Sequence, residues 1–141
     1  AMGCDFVLAD RTAKFGALEM RGGFPAAVNT AILGNLLGPR QSLELLLSAD
    51  MFDADHLHLV GLINQIFDTA DELEAGAQKF VANLAALDPI AVQMTKETQR
   101  ATTGMPIADA LVMSKHLNAL LMSSGRINEA AEFFEQNKKR K

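Results

Sequence analysis

The sequence has no tryptophan, no tyrosine and a single cysteine, Cys4. A lone cysteine excludes an internal disulfide and suits a reducing compartment, so a cytoplasmic protein is expected. No apolar run approaches the roughly 18 residues needed to span a bilayer, and no membrane partner is expected. No signal peptide is visible at the start, where Ala1-Met2 runs almost directly into a strand-like segment. Basic side chains are the minority: 13 Lys and Arg against 17 Asp and Glu give a net charge of −4. That balance lacks the basic face that replaces phosphate counterions, which disfavours nucleic-acid binding. Internal repeats and low-complexity linkers are also missing.

The content that remains is that of a folded chain. The 141 residues are 49% hydrophobic and 21% charged, enough for one domain or a piece of a larger one. Leucine, phenylalanine and seven scattered methionines carry the bulk, with methionine as core filler. The stretch from Cys4 to Pro25 organises the reading. Residues 5–9 read as a buried strand stopped by Asp10-Arg11-Thr12, and residues 14–16 as a second, very short extended piece. Glu19 then precedes a tight loop at Gly22-Gly23, and Pro25 opens a helix to about Leu37. Such a loop can hold one side chain at the mouth of a pocket. Gly38-Pro39 interrupts, and residues 40–48 form a helix apolar nearly all round, hence buried. Met51-Phe52 reads as a brief strand, Asp53 as the cap of a short helix ending at Gly61, and residues 62–67 as another strand.

After Phe67 the pattern turns helical. Thr69-Ala70-Asp71-Glu72 is a capping box that opens a helix striped by Leu73, Ala77, Phe80, Leu84 and Leu87. Asp88-Pro89 starts the next helix, to about Thr103. Pro106 starts a third, with Ile107, Ala110, Leu111, Leu117 and Leu121 on one side. A fourth carries Ile127, Ala130, Ala131 and Phe134 before Lys138-Lys139-Arg140-Lys141, a solvated end. Residues 1–68 and 69–141 thus read as separate parts. Several residues invite a chemical reading and are given a plainer one. His56 and His58 on a helix diverge by about 200°, so no metal site is expected. His116 reads as a helix-surface residue, Asp53 and Asp55 as caps, and Cys4 as a buried, inert thiol.

In order and spacing, these elements resemble the enoyl-CoA hydratase/isomerase (crotonase) family, in its C-terminal half. The residues carrying the resemblance are Cys4-Asp5, Ala13-Lys14-Phe15-Gly16, Glu19, Pro25, Leu33 and Leu36-Leu37-Gly38. They continue through Leu43-Glu44-Leu45-Leu46-Leu47 before a turn at Ser48-Ala49, where the family has T-G. Ala54 with Gly61-Leu62-Ile63-Asn64, and Asp88-Pro89 with Lys96, complete the match. The resemblance implies an α/β crotonase-like (ββα spiral) fragment, mostly helical here, with a few short strands in residues 5–67. Residues 1–68 would belong to the catalytic core and 69–141 to a helical oligomerisation domain, in a homo-oligomer built on trimers.

The same resemblance implies an enzyme of fatty-acid or related acyl-CoA metabolism, a hydratase (lyase) or an isomerase. Its substrate would be an acyl-CoA thioester, and no cofactor is implied, since coenzyme A belongs to the substrate. Glu19, at the family's F-G-x-P-E carboxylate, would move a proton to or from the substrate's α or γ carbon. Phe24, Pro25 and Phe134 would contact the substrate, with no metal involved. The basic tail would approach the CoA phosphates, although Asn137 stands where the family often has Lys. The sequence also departs from the family. Leu18 replaces a common Pro, the segment from Glu19 to Pro25 is one residue shorter, and P-G-A-G-G reads Pro25-Ala26-Ala27-Val28-Asn29. Hydratase and isomerase therefore stay open. The family's two oxyanion donors and a second catalytic Glu precede the Cys-Asp dipeptide, which implies that the 141 residues alone are inactive. The alternative is an all-helical oligomerisation or interaction module without catalysis.

Overall fold

The computed structural model describes residues 3–123, 125 and 132. Contacts divide the chain into two compact units, Ala1–Val81 and Ala82–Lys141. The first unit is built on two minimal sheets. Strand β1 (Leu8–Asp10) pairs in parallel with β4 (Gln65–Phe67), with Ala9 opposite Ile66. Strand β2 (Lys14–Phe15) pairs antiparallel with β3 (Phe52–Asp53), with Phe15 opposite Phe52.

The first strand begins later than its apolar run. Val7 is held instead by Asn64, whose side-chain Oδ1 accepts the Val7 N–H and whose own N–H reaches the Val7 carbonyl, both at 2.8 Å. The carboxamide stands in for one rung of the ladder, which is why β1 and β4 are shorter than residues 5–9 and 62–67 suggest. Between β1 and β2 the turn closes on Asp10, which accepts from both the backbone and the hydroxyl of Thr12.

Gly16 lies where chains come closest. A Cβ there would sit 2.8 Å from the Asp50 carbonyl oxygen and 2.7 Å from Met51 Sδ, so only glycine lets the segments meet. A 3-10 helix (Glu19–Gly22) follows, capped by Gly23 at φ +76°, whose N–H bonds the Met20 carbonyl while Phe24 N–H bonds that of Glu19. The chain then enters α1 (Ala27–Leu37), two residues later than Pro25 suggests, and α2 (Pro39–Leu47). Helix α3 (Ala54–Leu59) is capped by Asp53, which accepts the His56 N–H at 2.7 Å. Gly61 follows with φ +86°.

The core of this unit gathers Ala9, Ala17, Ala26, Leu33, Leu45, Leu46, Ala54, Leu57 and Ile63. Leu33 on α1 is fully buried, at 0% exposure. Helix α2 is not buried all round, as its leucines suggested. Leu45 and Leu46 enter the core, whereas Leu47 is 61% exposed and Leu43 also faces out. The neighbours that the rest of the unit supplies, not the composition of the helix, decide which leucines are covered. Ala49, at the turn where the resembled family has glycine, takes φ +51° and is buried. It is the only non-glycine residue with positive φ among the described residues.

Helix α4 (Ala70–Ala85) opens on the expected capping box, slightly altered. Thr69 Oγ1 accepts the Glu72 N–H at 3.2 Å, and Glu72 reaches back to the Asp68 N–H rather than to Thr69. Phe80 meets Phe6 edge-on, with ring centroids 5.0 Å apart. In the second unit, α5 (Pro89–Thr102) is capped by Asp88, which accepts the Ala91 N–H, and α6 (Ile107–Ser123) packs on it. The expected stripe of α6 is only partly covered. Ala110, Leu117 and Leu121 are half-buried, but Ile107 is 74% exposed and Leu111 also faces solvent. The fourth helix, with Phe134, and the basic tail lie outside the described residues.

Candidate functional site

Glu19 is the first residue of the 3-10 helix, and its side chain is exposed. The loop returns through Gly23 and Pro25 so that the first turn of α1 passes beside it. There Asn29 donates from Nδ2 to Glu19 Oε1 at 2.8 Å. A carboxylate can only accept, so the amide nitrogen is the atom that faces it. Asn29 lies three residues after buried Ala26 and four before buried Leu33, which places it on the core-facing side of α1. Arg21, in the same 3-10 helix, turns away and pairs with Asp50 at 3.1 Å. Asn29 is therefore the side chain that orients this carboxylate.

A cavity of about 170 Å³ opens elsewhere in the first unit, lined by Cys4, Asp5, Phe15, Leu36, Leu57 and Ile63 among others. Its walls are largely apolar, supplied by the strand region and by α1 and α3. Glu19, Phe24 and Pro25 do not line it. Phe24 is 70% exposed, and Pro25 is exposed beside it. The three candidate residues thus share one loop, and none of them lines this cavity. Phe134 lies outside the described residues.

The remaining candidates resolve into structural roles. Cys4 is exposed at the cavity, not buried as expected, because the ladder begins only at Val7 and Leu8 and leaves the preceding residues at the surface. His56 stacks on Phe52 with ring centroids 5.2 Å apart, and His58 Nδ1 meets the Ile63 carbonyl at 2.8 Å. The two rings diverge, and no group of three or more metal-ligating side chains forms among the described residues. Asp53 caps α3 as expected, but Asp55 does not cap. It pairs with Arg11, which also reaches Asp68 at 2.8 Å. The hydrogen bond to Asp68, then that to Asp55, raises the Arg11 guanidinium above its ordinary value. The Thr12 hydroxyl, then its N–H, holds the Asp10 carboxyl below its ordinary value. Both act at the surface: the Thr12–Asp10 bonds close the β1–β2 turn on itself, and Arg11 ties it to Asp55 on α3 and to Asp68 just after β4. No helix among the described residues is long and apolar enough to cross a membrane.

Asn29 was the functional candidate that motif reading passed over. It appeared only as the last residue of an altered glycine-rich segment. The available signal was a polar residue on the apolar side of a helix, ten positions after a candidate carboxylate.

Comparison with known proteins adds a family. The enoyl-CoA hydratase/isomerase family matches residues 1–141. A Thermus thermophilus protein named as an enoyl-CoA hydratase is 31% identical over 137 residues, covering 96% of this chain and 54% of its own. The 2,3-dehydroadipyl-CoA hydratase of Escherichia coli is 27% identical over 139 residues, 98% of this chain and 54% of its own. Among solved structures, subunit I of the Geobacillus kaustophilus enzyme titled as an enoyl-CoA hydratase superposes with a TM-score of 0.84 at 25% identity. It covers 97% of this chain and 53% of that one. The mostly helical architecture with a few short strands is therefore crotonase-like. The chain spans about half the length of the curated relatives it matches. The narrower expectation, a correspondence to the C-terminal half in particular, is not borne out by these comparisons. What they establish holds along the full chain: it belongs to the enoyl-CoA hydratase/isomerase family.

Proposed function

We propose that this chain is part of an enzyme that hydrates or isomerises the double bond of an acyl-CoA thioester, with Glu19 as its proton-transfer group. The observation that carries the reading is the family match over residues 1–141, with Glu19 held by Asn29 at 2.8 Å. In hydration, water oxygen bonds the β carbon while the double-bond pair moves to the α carbon. The proton lost by water is balanced by the one gained at the α carbon. In isomerisation, the carboxylate takes a proton from one carbon, the freed pair becomes part of a dienolate, and the proton returns to the other. Either route needs a carboxyl that shuttles one proton close to the thioester. Phe24 and Pro25 share the Glu19 loop and would flank the acyl group, and Phe134 would pack on the CoA moiety. The chemistry needs no metal and no cofactor besides the coenzyme A of the substrate.

The isolated 141-residue chain is expected to be inactive. Glu19 is exposed and outside the cavity, so water competes with every interaction it could make with a substrate. Purified chain mixed with crotonyl-CoA should show no loss of enoyl-thioester absorbance above the uncatalysed rate. Sustained turnover would overturn this.

A second reading, a helical interaction module, is favoured by α6, where Ile107, Leu111, Val112, Leu120 and Met122 are exposed. In the family reading the same surface serves subunit contacts within a homo-oligomer, so the two are compatible. Exposed apolar surface of this kind drives association. Sedimentation of the 141-residue chain at micromolar concentration is expected to give oligomers, and a compact monomer would count against both versions.

A further inference from the structure

We propose that Asn29 is a positioning residue of the reaction: it holds the Glu19 carboxylate by Oε1 and leaves Oε2 to carry the proton. This rests on the reading of Glu19 as the proton-transfer group. Its own basis is a polar side chain where an apolar one is expected. Ala26, the residue that caps α1, and Leu33 on it define the core-facing side, and Asn29 falls between them and is half-buried. A carboxamide there carries a desolvation cost that an alanine or leucine would not. Its Nδ2 donates to Glu19 Oε1.

The geometry suits positioning. Glu19 opens a four-residue 3-10 helix on an exposed loop, a weak platform for holding a reactive group. Asn29 stands on an eleven-residue helix anchored by Leu33, which is fully buried. The bond from Nδ2 to Oε1 ties the loop carboxylate to the rigid helix and fixes its plane. One oxygen is then committed to a donor that cannot exchange a proton with substrate. The other is left as the site of proton transfer, and Asn29 itself touches no reacting atom.

The test uses the polypeptide of the complete reading frame that contains these residues, assayed with straight-chain enoyl-CoA thioesters. Asn29→Asp keeps size and polarity but, when ionised, loses the donor. Asn29→Leu keeps the volume without polarity. Both are expected to lower kcat by about 10- to 100-fold with KM little changed, the scale of a misplaced reacting group. In a Glu19→Gln background neither should lower the rate further, because residues acting as one unit are not additive. A merely structural role predicts the opposite: Asp is tolerated, and the Leu effect follows loss of thermal stability. Parent-like rates in both variants overturn the proposal, as does a loss that persists undiminished in the Glu19→Gln background. If Glu19→Gln alone keeps the parent rate, the proton-transfer reading itself falls, an outcome distinct from failure of Asn29.

Discussion

Glu19→Gln, introduced into the complete polypeptide, should lower kcat for an enoyl-CoA thioester by about 10²- to 10⁴-fold, the range attributed to a positioned acid or base. Glutamine is nearly isosteric and its carbonyl oxygen can still accept from Asn29, so the loop should keep its shape. What it loses is the ability to carry a proton on the side chain. The loss should therefore fall mainly on kcat, while KM for the thioester stays close to that of the parent. Because Glu19 is exposed and contributes nothing to the core, thermal stability should be little affected. Steady-state kinetics together with a thermal melt check this. A variant within a few-fold of the parent, on a substrate the parent turns over, would falsify the assignment of the proton to this carboxyl.

The second large effect concerns the helix on which the site rests. Leu33→Ala is expected to destabilise the first unit by about 2–5 kcal/mol, the range for a buried leucine whose surroundings relax only partly. Leu33 is fully buried on α1 and belongs to the cluster formed with Leu45, Leu46 and Leu57. Those neighbours come from two other helices, α2 and α3, so no single one of them can collapse into the space left behind. Leu36, one turn along the same helix, is 58% exposed, and its replacement by alanine serves as the comparison. Urea denaturation of the two variants should separate them clearly. Equal midpoints would mean that α1 does not anchor the core as described. Such destabilisation is a large share of the ~5–15 kcal/mol typical of a folded domain. It would also loosen Asn29, four residues before Leu33.

Much of the local structure was legible because it follows from short-range chemistry. Asp53 and Asp88 cap their helices, Thr69 and Glu72 open α4, and Gly23 and Gly61 take positive φ. Each depends on atoms within four or five residues, so sequence spacing suffices to place it. Burial was harder to read. The leucines of α2 looked alike in sequence, yet Leu45 and Leu46 are buried while Leu43 and Leu47 are exposed. Cys4 resembled a core thiol and lies at the surface. Burial is a property of neighbours supplied by distant segments, and hydropathy reports only the willingness of a side chain to accept them.

The site divides in the same way. Glu19 was proposed from its place in a motif, which needs no knowledge of packing. Its partner could not, because the contact with Asn29 crosses ten residues and a reversal of direction at Gly23. The pairing of Arg11 with both Asp55 and Asp68 likewise joins residues up to 57 positions apart. The sequence by itself determined which caps and turns bound most of the helices and the family resemblance that comparison established. Only the tertiary structure decided which apolar faces are covered, that Glu19 lies outside the cavity, and that a carboxamide on α1 holds it. The reason is physical: caps and turns are closed by bonds between near neighbours, whereas burial and site geometry are set by segments that meet only when the chain has folded.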